Sequence, residues 1–166
     1  MFRLLENCKI VDALTPQAGD GANPFSGSWI SMKRYHHAFI VIQYHQTGDA
    51  VNVTWRVDKA PLVDGASAVP CTQLFNIWSN LDTATDDELV KIDPAVSYAS
   101  GVGQTHKLII FEVDPRALGD LAGVPYTAIR GTSVTNIAAA VDLSMSYILV
   151  PREQLAVEFM PSALID

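Results

Sequence analysis

The chain has 166 residues, two cysteines and a formal net charge of −7, with 49% hydrophobic and 17% charged residues. That is the length of one domain, enough to bury roughly two thirds of the unfolded chain's surface, and its composition excludes disorder over the bulk of the chain. The acidic balance argues against a broad grip on nucleic acid, which needs Lys and Arg against phosphates, and no basic run exceeds Lys33-Arg34.

The N-terminus, MFRLLENCKIVDALTP, carries Glu6, Lys9 and Asp12 and lacks a long apolar core, so it does not read as a secretory signal. No apolar run approaches ~18 residues, so no membrane-spanning helix is expected. Leu4, Leu5, Ile10 and Val11 are followed by TPQAGDGANPFSGS, a loop or flexible connector by composition. Residues 1–27 are therefore either an arm reaching a neighbouring subunit or a first strand on the same core. A short run, Trp29, Ile30 and Met32, leads into the stretch Ala38 to Val57. There, two apolar runs flank Gln46-Thr47-Gly48-Asp49, a turn signal that predicts a hairpin. In the outgoing run Val51, Val53, Trp55 and Val57 alternate with Asn52, Thr54 and Arg56, as in a strand with one wet face. The incoming run, Phe39 to Ile42, is apolar on both sides and demands cover from a second layer or another subunit.

After Val57, DKAPLVDGASAVP is broken by Pro61, Gly65 and Pro70 and reads as an irregular excursion. Gln73 to Ser79 predicts a strand, Leu89 to Ile92 a strand or a single turn stopped by Pro94, and Thr105 to Asp114 a further strand. Asp114 as N-cap and Pro115 at the first position predict a helix of barely two turns to Leu121. Val124 to Arg130 is another short strand. The longest period-two pattern runs from Ile137 through Val141, Met145 and Tyr147 to Leu149, and Pro151 stops it. The tail, with Phe159, Met160, Leu164 and Ile165, is greasy enough to predict that it docks. Roughly seven to nine short strands and one short helix give an all-β class: an antiparallel β-sandwich or jelly-roll-like single domain. It divides into an N-terminal arm and linker (1–27), a sandwich (28–150) and a C-terminal tail (151–166).

Chemistry is sparse. Cys8 and Cys71 stand far apart in no metal or redox spacing and read as free or buried thiols. Of His36, His37, His45 and His106, the adjacent pair points to opposite faces of a strand. His45 could approach His37 only by a fortunate register. No cysteine or carboxylate completes a ligand set, so no metal is expected. Asp82, Asp86, Asp87 and Glu88 do not match a calcium loop and read as a solvated loop. Gly101-Val102-Gly103 precedes a strand, which removes the phosphate-cradling geometry. Trp29, Trp55 and Trp78 sit in strand patterns and read as core. These residues give no enzyme and no cofactor.

Several lines do carry a resemblance. Trp29-Ile30-Ser31-Met32-Lys33-Arg34-Tyr35-His36-His37-Ala38, then Ile77-Trp78-Ser79-Asn80-Leu81-Asp82, Leu89-Val90, Ala95-Val96-Ser97-Tyr98, Phe111-Glu112-Val113-Asp114-Pro115 with Leu118, and the closing Pro161-Ser162-Ala163-Leu164-Ile165-Asp166 are similar to the head decoration (cement) proteins of tailed bacteriophages and prophages. The pattern departs from that family between Arg56 and Cys71, where Pro61, Leu62 and Pro70 replace a small Gly/Ala-rich bulge. The resemblance implies a structural role on the phage head, with the major capsid protein and further copies of the chain, a trimer favoured, as partners. It implies no nucleic acid, membrane or cofactor, and a location in virions assembled in the bacterial cytoplasm. On this reading the assembly contacts are Leu4, Leu5, Ile10, Val11, Phe159, Met160, Leu164 and Ile165. A head–tail connector or tail component is the nearest alternative. A jelly-roll carbohydrate-binding module is the alternative from another class; a cupin-like enzyme would need clustered His and Glu that the chain does not supply.

Overall fold

The period-two runs become two antiparallel sheets packed face to face. The computed structural model describes residues 7–21, 23–46, 52–103, 105–134, 141–152 and 162–164, and the structural statements below concern these. In spatial order the larger sheet holds β1 (Lys9–Ala18), β13 (Val141–Pro151), β3 (Tyr35–Gln46), β9 (His106–Val113), β6 (Phe75–Asn80) and β7 (Val90–Ala95). In the smaller sheet β2 (Ile30–Ser31) pairs β12 (Ala128–Ser133), which pairs β4 (Thr54–Ala60). The far edge of β4 is shared by β5 (Val69–Pro70) and β8 (Ser97–Ala99). A two-residue ladder, β10 (Asp120–Leu121) with β11 (Val124–Pro125), lies apart from both sheets. The all-β sandwich class read from the sequence stands.

The core lies between the sheets. One row of the large sheet runs Val11, Tyr147, Ile40, Phe111, Ile77 and Ile92, and the next runs Met145, Ile42 and Ile109. Trp55, Val57, Ile30 and Ile129 meet them from the other sheet, all fully buried. Each such side chain contributes about 1.5–3 kcal/mol of transfer free energy, which is why alternation governs the fold. Gly131 of β12 sits where the two sheets approach tightly: a Cβ there would lie 2.7 Å from Met145 Sδ and 2.9 Å from Ile40 Cγ2. The Tyr147 hydroxyl donates to the Ser28 carbonyl at 2.9 Å and accepts from the Gly131 N–H at 3.2 Å, and burial raises its pKa. It therefore ties the large sheet to the small one and to the chain that crosses between them.

Several expectations change here. The runs either side of Gln46 and Thr47 do not form a hairpin, although the turn itself lies outside the described residues. Strand β3 pairs β13 and β9, while β4 belongs to the opposite sheet. Both edges of β3 are taken by long apolar strands, so its sequence neighbour packs against its face instead. Tyr44 and Trp55 accordingly meet across the core, with ring centroids 6.0 Å apart. Of the two readings of residues 1–27, Lys9–Ala18 takes the second, as an edge strand on β13.

The connector after β1 is irregular but pinned. The Gly27 and Ser28 N–H groups donate to the Gly131 and Ala13 carbonyls, and the Ser133 N–H donates to the Phe25 carbonyl. The predicted two-turn helix is a single 3-10 turn, Pro115–Ala117, because Gly119 turns the chain with φ 71°. Its cap is as expected: the Arg116 N–H donates to Asp114 Oδ1 at 2.9 Å. Of Leu89 to Ile92, the residues from Val90 on are strand, in β7, which continues through Pro94 to Ala95, and the excursion after Val57 begins only at Pro61, once β4 has ended.

Candidate functional site

Alternation gives the large sheet a second face, turned away from the core. Its rows follow from the strand registers. One row runs Ile10, Ile148, Phe39, Glu112 and Asn76; the next runs Asp12, Ser146, Val41, Ile110, Trp78 and Lys91. Ile148, Phe39, Val41, Ile110 and Trp78 are half-buried, while Ile10 is 48% exposed at the edge. They form an apolar strip across the middle of the sheet. Polar groups rim it: Asn76 Nδ2 donates to Glu112 Oε2 at 3.1 Å, His37 lies 3.7 Å from the same carboxylate, and the Lys91 ammonium sits 5.7 Å from the centre of the Trp78 ring.

Towards the other end of β3, this face becomes polar. One row runs Ser144, Gln43, Leu108 and Asn80, and the last runs Asp142, His45 and His106. The His45 and His106 rings stack with centroids 4.0 Å apart and planes 11° from parallel. These residues floor a trough of about 470 Å³, bounded by Pro16 on β1 and by Thr83. Beneath it, Lys107 points inward and is buried. Its ammonium donates to neutral oxygens, at 3.0 Å to the Gly101 carbonyl, 3.3 Å to Gln46 Oε1 and 3.4 Å to the Ser100 carbonyl. Burial lowers its pKa. The glycine turn at Gly101 is thus held by a lysine.

The smaller sheet's outer face is already paired. The Arg56 guanidinium lies 2.9 Å and that of Arg130 3.3 Å from the buried Asp58 carboxylate, and Arg130 stacks over Trp29 at 4.7 Å. The Asp58 carboxylate is thus paired with both guanidinium groups, while Arg130 Nε is buried without a hydrogen-bond partner among the described residues.

The residues singled out as assembly contacts divide. Ile10 lies on the outer face, beside Ile148. Val11, one residue on, points to the other side of β1 and packs in the core at 8% exposure, so it cannot serve as a surface contact. Leu164 is exposed next to the fully buried Ala163, whose carbonyl accepts from the Ser31 N–H at 2.7 Å, so the chain is anchored on β2 at Ala163. Leu4, Leu5, Phe159, Met160 and Ile165 lie outside the described residues. Cys8 and Cys71 are free and buried, and burial raises both thiols, Cys71 to about 12. Among the described residues no cluster of His, Cys, Asp and Glu could hold a metal, and no helix is long and apolar enough to cross a membrane. Of the tryptophans only Trp55 is fully buried.

The sequence reading missed the outer strip as a surface and the meeting of His45 with His106. The double-sided apolar run at Phe39–Ile42 signalled the first. Nothing local signals the second, because it depends on which strand β3 pairs.

No family model matches the chain. No curated protein matches it either. Among solved structures, the SPBc2 prophage-derived protein YomS is similar at 8% identity and a TM-score of 0.46, over 87% of this chain and 93% of that one. The enzymatically active domain of the bacteriophage CBA120 tailspike protein 4 is similar at 12% identity and a TM-score of 0.36, over 88% of this chain. The match spans 20% of that structure's length. Likenesses of this size fix neither a family nor a function for this chain.

Proposed function

We propose that this is a structural virion protein that binds and stabilises the major capsid shell of a tailed phage, a decoration or cement protein acting as a homo-oligomer. The reading starts from the sequence resemblance and gains its surface from one observation: the apolar strip of Ile148, Phe39, Val41 and Ile110 on the outer face of a six-stranded sheet. A rigid, half-exposed apolar face with a polar rim is what a stable protein–protein contact needs. Leu4, Leu5, Phe159, Met160, Leu164 and Ile165 remain proposed as secondary contacts. A trimer on the shell is the favoured assembly.

The test is co-sedimentation with empty capsids. The unmodified protein should pellet with the shell, and the double variant Phe39→Ser, Val41→Ser should bind at least tenfold more weakly while keeping its cooperative unfolding. A wild-type protein that stays in the supernatant, or a double variant that binds equally well, overturns the reading. Light scattering should show a multiple of the 18.0 kDa chain mass. A truncation that probes the N-terminal contacts should stop before Lys9, since β1 is an integral strand.

A further inference from the structure

The trough at the polar end of this face has no part in the shell-docking reading, and its chemistry differs. Gln43, Ser144, His45, His106 and Asp142 come together there from three adjacent strands. None of their side chains hydrogen-bonds to another described residue. Some polar side chains elsewhere are paired, Asn76 with Glu112, Asn80 with the Asp86 carbonyl, Asp114 with Arg116 and Asp58 with two arginines, whereas others, such as Gln73, have no partner among the described residues. A concavity of about 470 Å³ lies within the range of ligand sites, and convergent, unengaged polar groups are what orient a ligand in one.

The ligand class follows from what the floor can offer. The backbone here is consumed by the ladders of β13, β3 and β9, so an added peptide strand would find no free edge. An anionic ligand would meet the Asp142 carboxylate, while Lys107, the lysine nearest the trough, turns its ammonium into the protein. What remains is a hydroxyl, an amide, two imidazoles and one carboxylate, a mixture of donors and acceptors with no fixed cation. That set matches a ligand whose every group both donates and accepts, and Leu108 and Pro16 supply apolar patches for ring carbons.

We propose that the trough binds a neutral oligosaccharide, with Gln43 and Asp142 fixing the sugar hydroxyls and the stacked His45–His106 pair forming its platform. The proposal stands apart from shell docking, and its test needs no capsid. The full-length protein is applied to an array of neutral oligosaccharides (maltodextrins, chito-oligosaccharides, galactose-terminated chains), with heparin fragments as the anionic comparison. At least one neutral class should bind and raise the thermal midpoint, and Gln43→Ala and Asp142→Asn should each weaken it at least tenfold with the sugar-free midpoint unchanged. Titrating that saccharide into the unmodified protein should shift the His45 and His106 imidazole resonances, a readout that needs no variant. Silence of every neutral class, binding of heparin alone, or imidazole resonances that do not move under saturation overturns the proposal.

Discussion

Phe39 and Ile40 are neighbours on one strand, similar in size and apolarity, yet they do different work. Ile40 is fully buried between Tyr147 and Phe111, against the smaller sheet; Phe39 lies half-buried between Ile148 and Glu112 on the open side. Composition does not distinguish them. The pleat does, by sending successive side chains to opposite faces of a sheet that, among the described residues, one partner sheet covers on one side. The inner face therefore sets stability, and the outer face is free to set association.

This contrast can be broken most directly by truncation. Ile40→Ala should cost about 2–5 kcal/mol through lost burial and the cavity left behind, lowering the thermal midpoint by roughly 5–15 °C. Phe39→Ala should cost about 1 kcal/mol or less in the isolated chain. Calorimetry on the pair decides: equal losses would mean that the outer face is already covered, and the docking reading would lose its surface. Gly131→Ala sharpens the inner half of the comparison from the other sheet. Its methyl would press on Met145 and Ile40, and the flexible Met145 side chain should keep the loss at about 1–2 kcal/mol, read from denaturant midpoints at unchanged slope.

The smallest effect belongs to a surface feature outside both faces. Hydrogen bonds from Arg116 hold the Asp114 carboxyl at about 2, below its ordinary 3.8. A lowered carboxyl pKa means that the unfolded chain binds the proton more readily, so this contribution is present above pH ~4 and is lost as pH falls towards about 2. Asp114→Ala should lower stability at neutral pH by up to ~1 kcal/mol, in line with other lost caps, and flatten that part of the acid profile. A profile identical to that of the unmodified protein would show that the cap and its arginine fork contribute nothing.

How much of this was legible depends on the range of the interaction responsible. The strands at 105–114 and 141–151 were readable because burying one face imposes period two along the chain itself. The Asp114 cap was readable because it spans two residues. The predicted hairpin failed because a turn signal states only that the chain reverses; pairing is settled by competition for the edges of β3, and β13 and β9 held them. The flexible connector became a pinned crossing for the same reason, since its hydrogen-bond partners, Ala13, Gly131 and Ser133, are set by the fold. Among the proposed contacts, Ile10 and Val11 were inseparable until the register of β1 on β13 assigned them to opposite faces.

The sequence alone determined the all-β class, the absence of a recognisable metal or catalytic motif, and the need of Phe39–Ile42 for cover on two sides. These follow from composition and local periodicity, which act over a few residues. Only the tertiary structure decided that the second sheet covers one side, that the other carries a half-buried apolar strip with no second sheet over it among the described residues, and that His45 meets His106 above a buried Lys107. Those facts rest on strand order and register between residues some sixty positions apart, and no local rule carries that information.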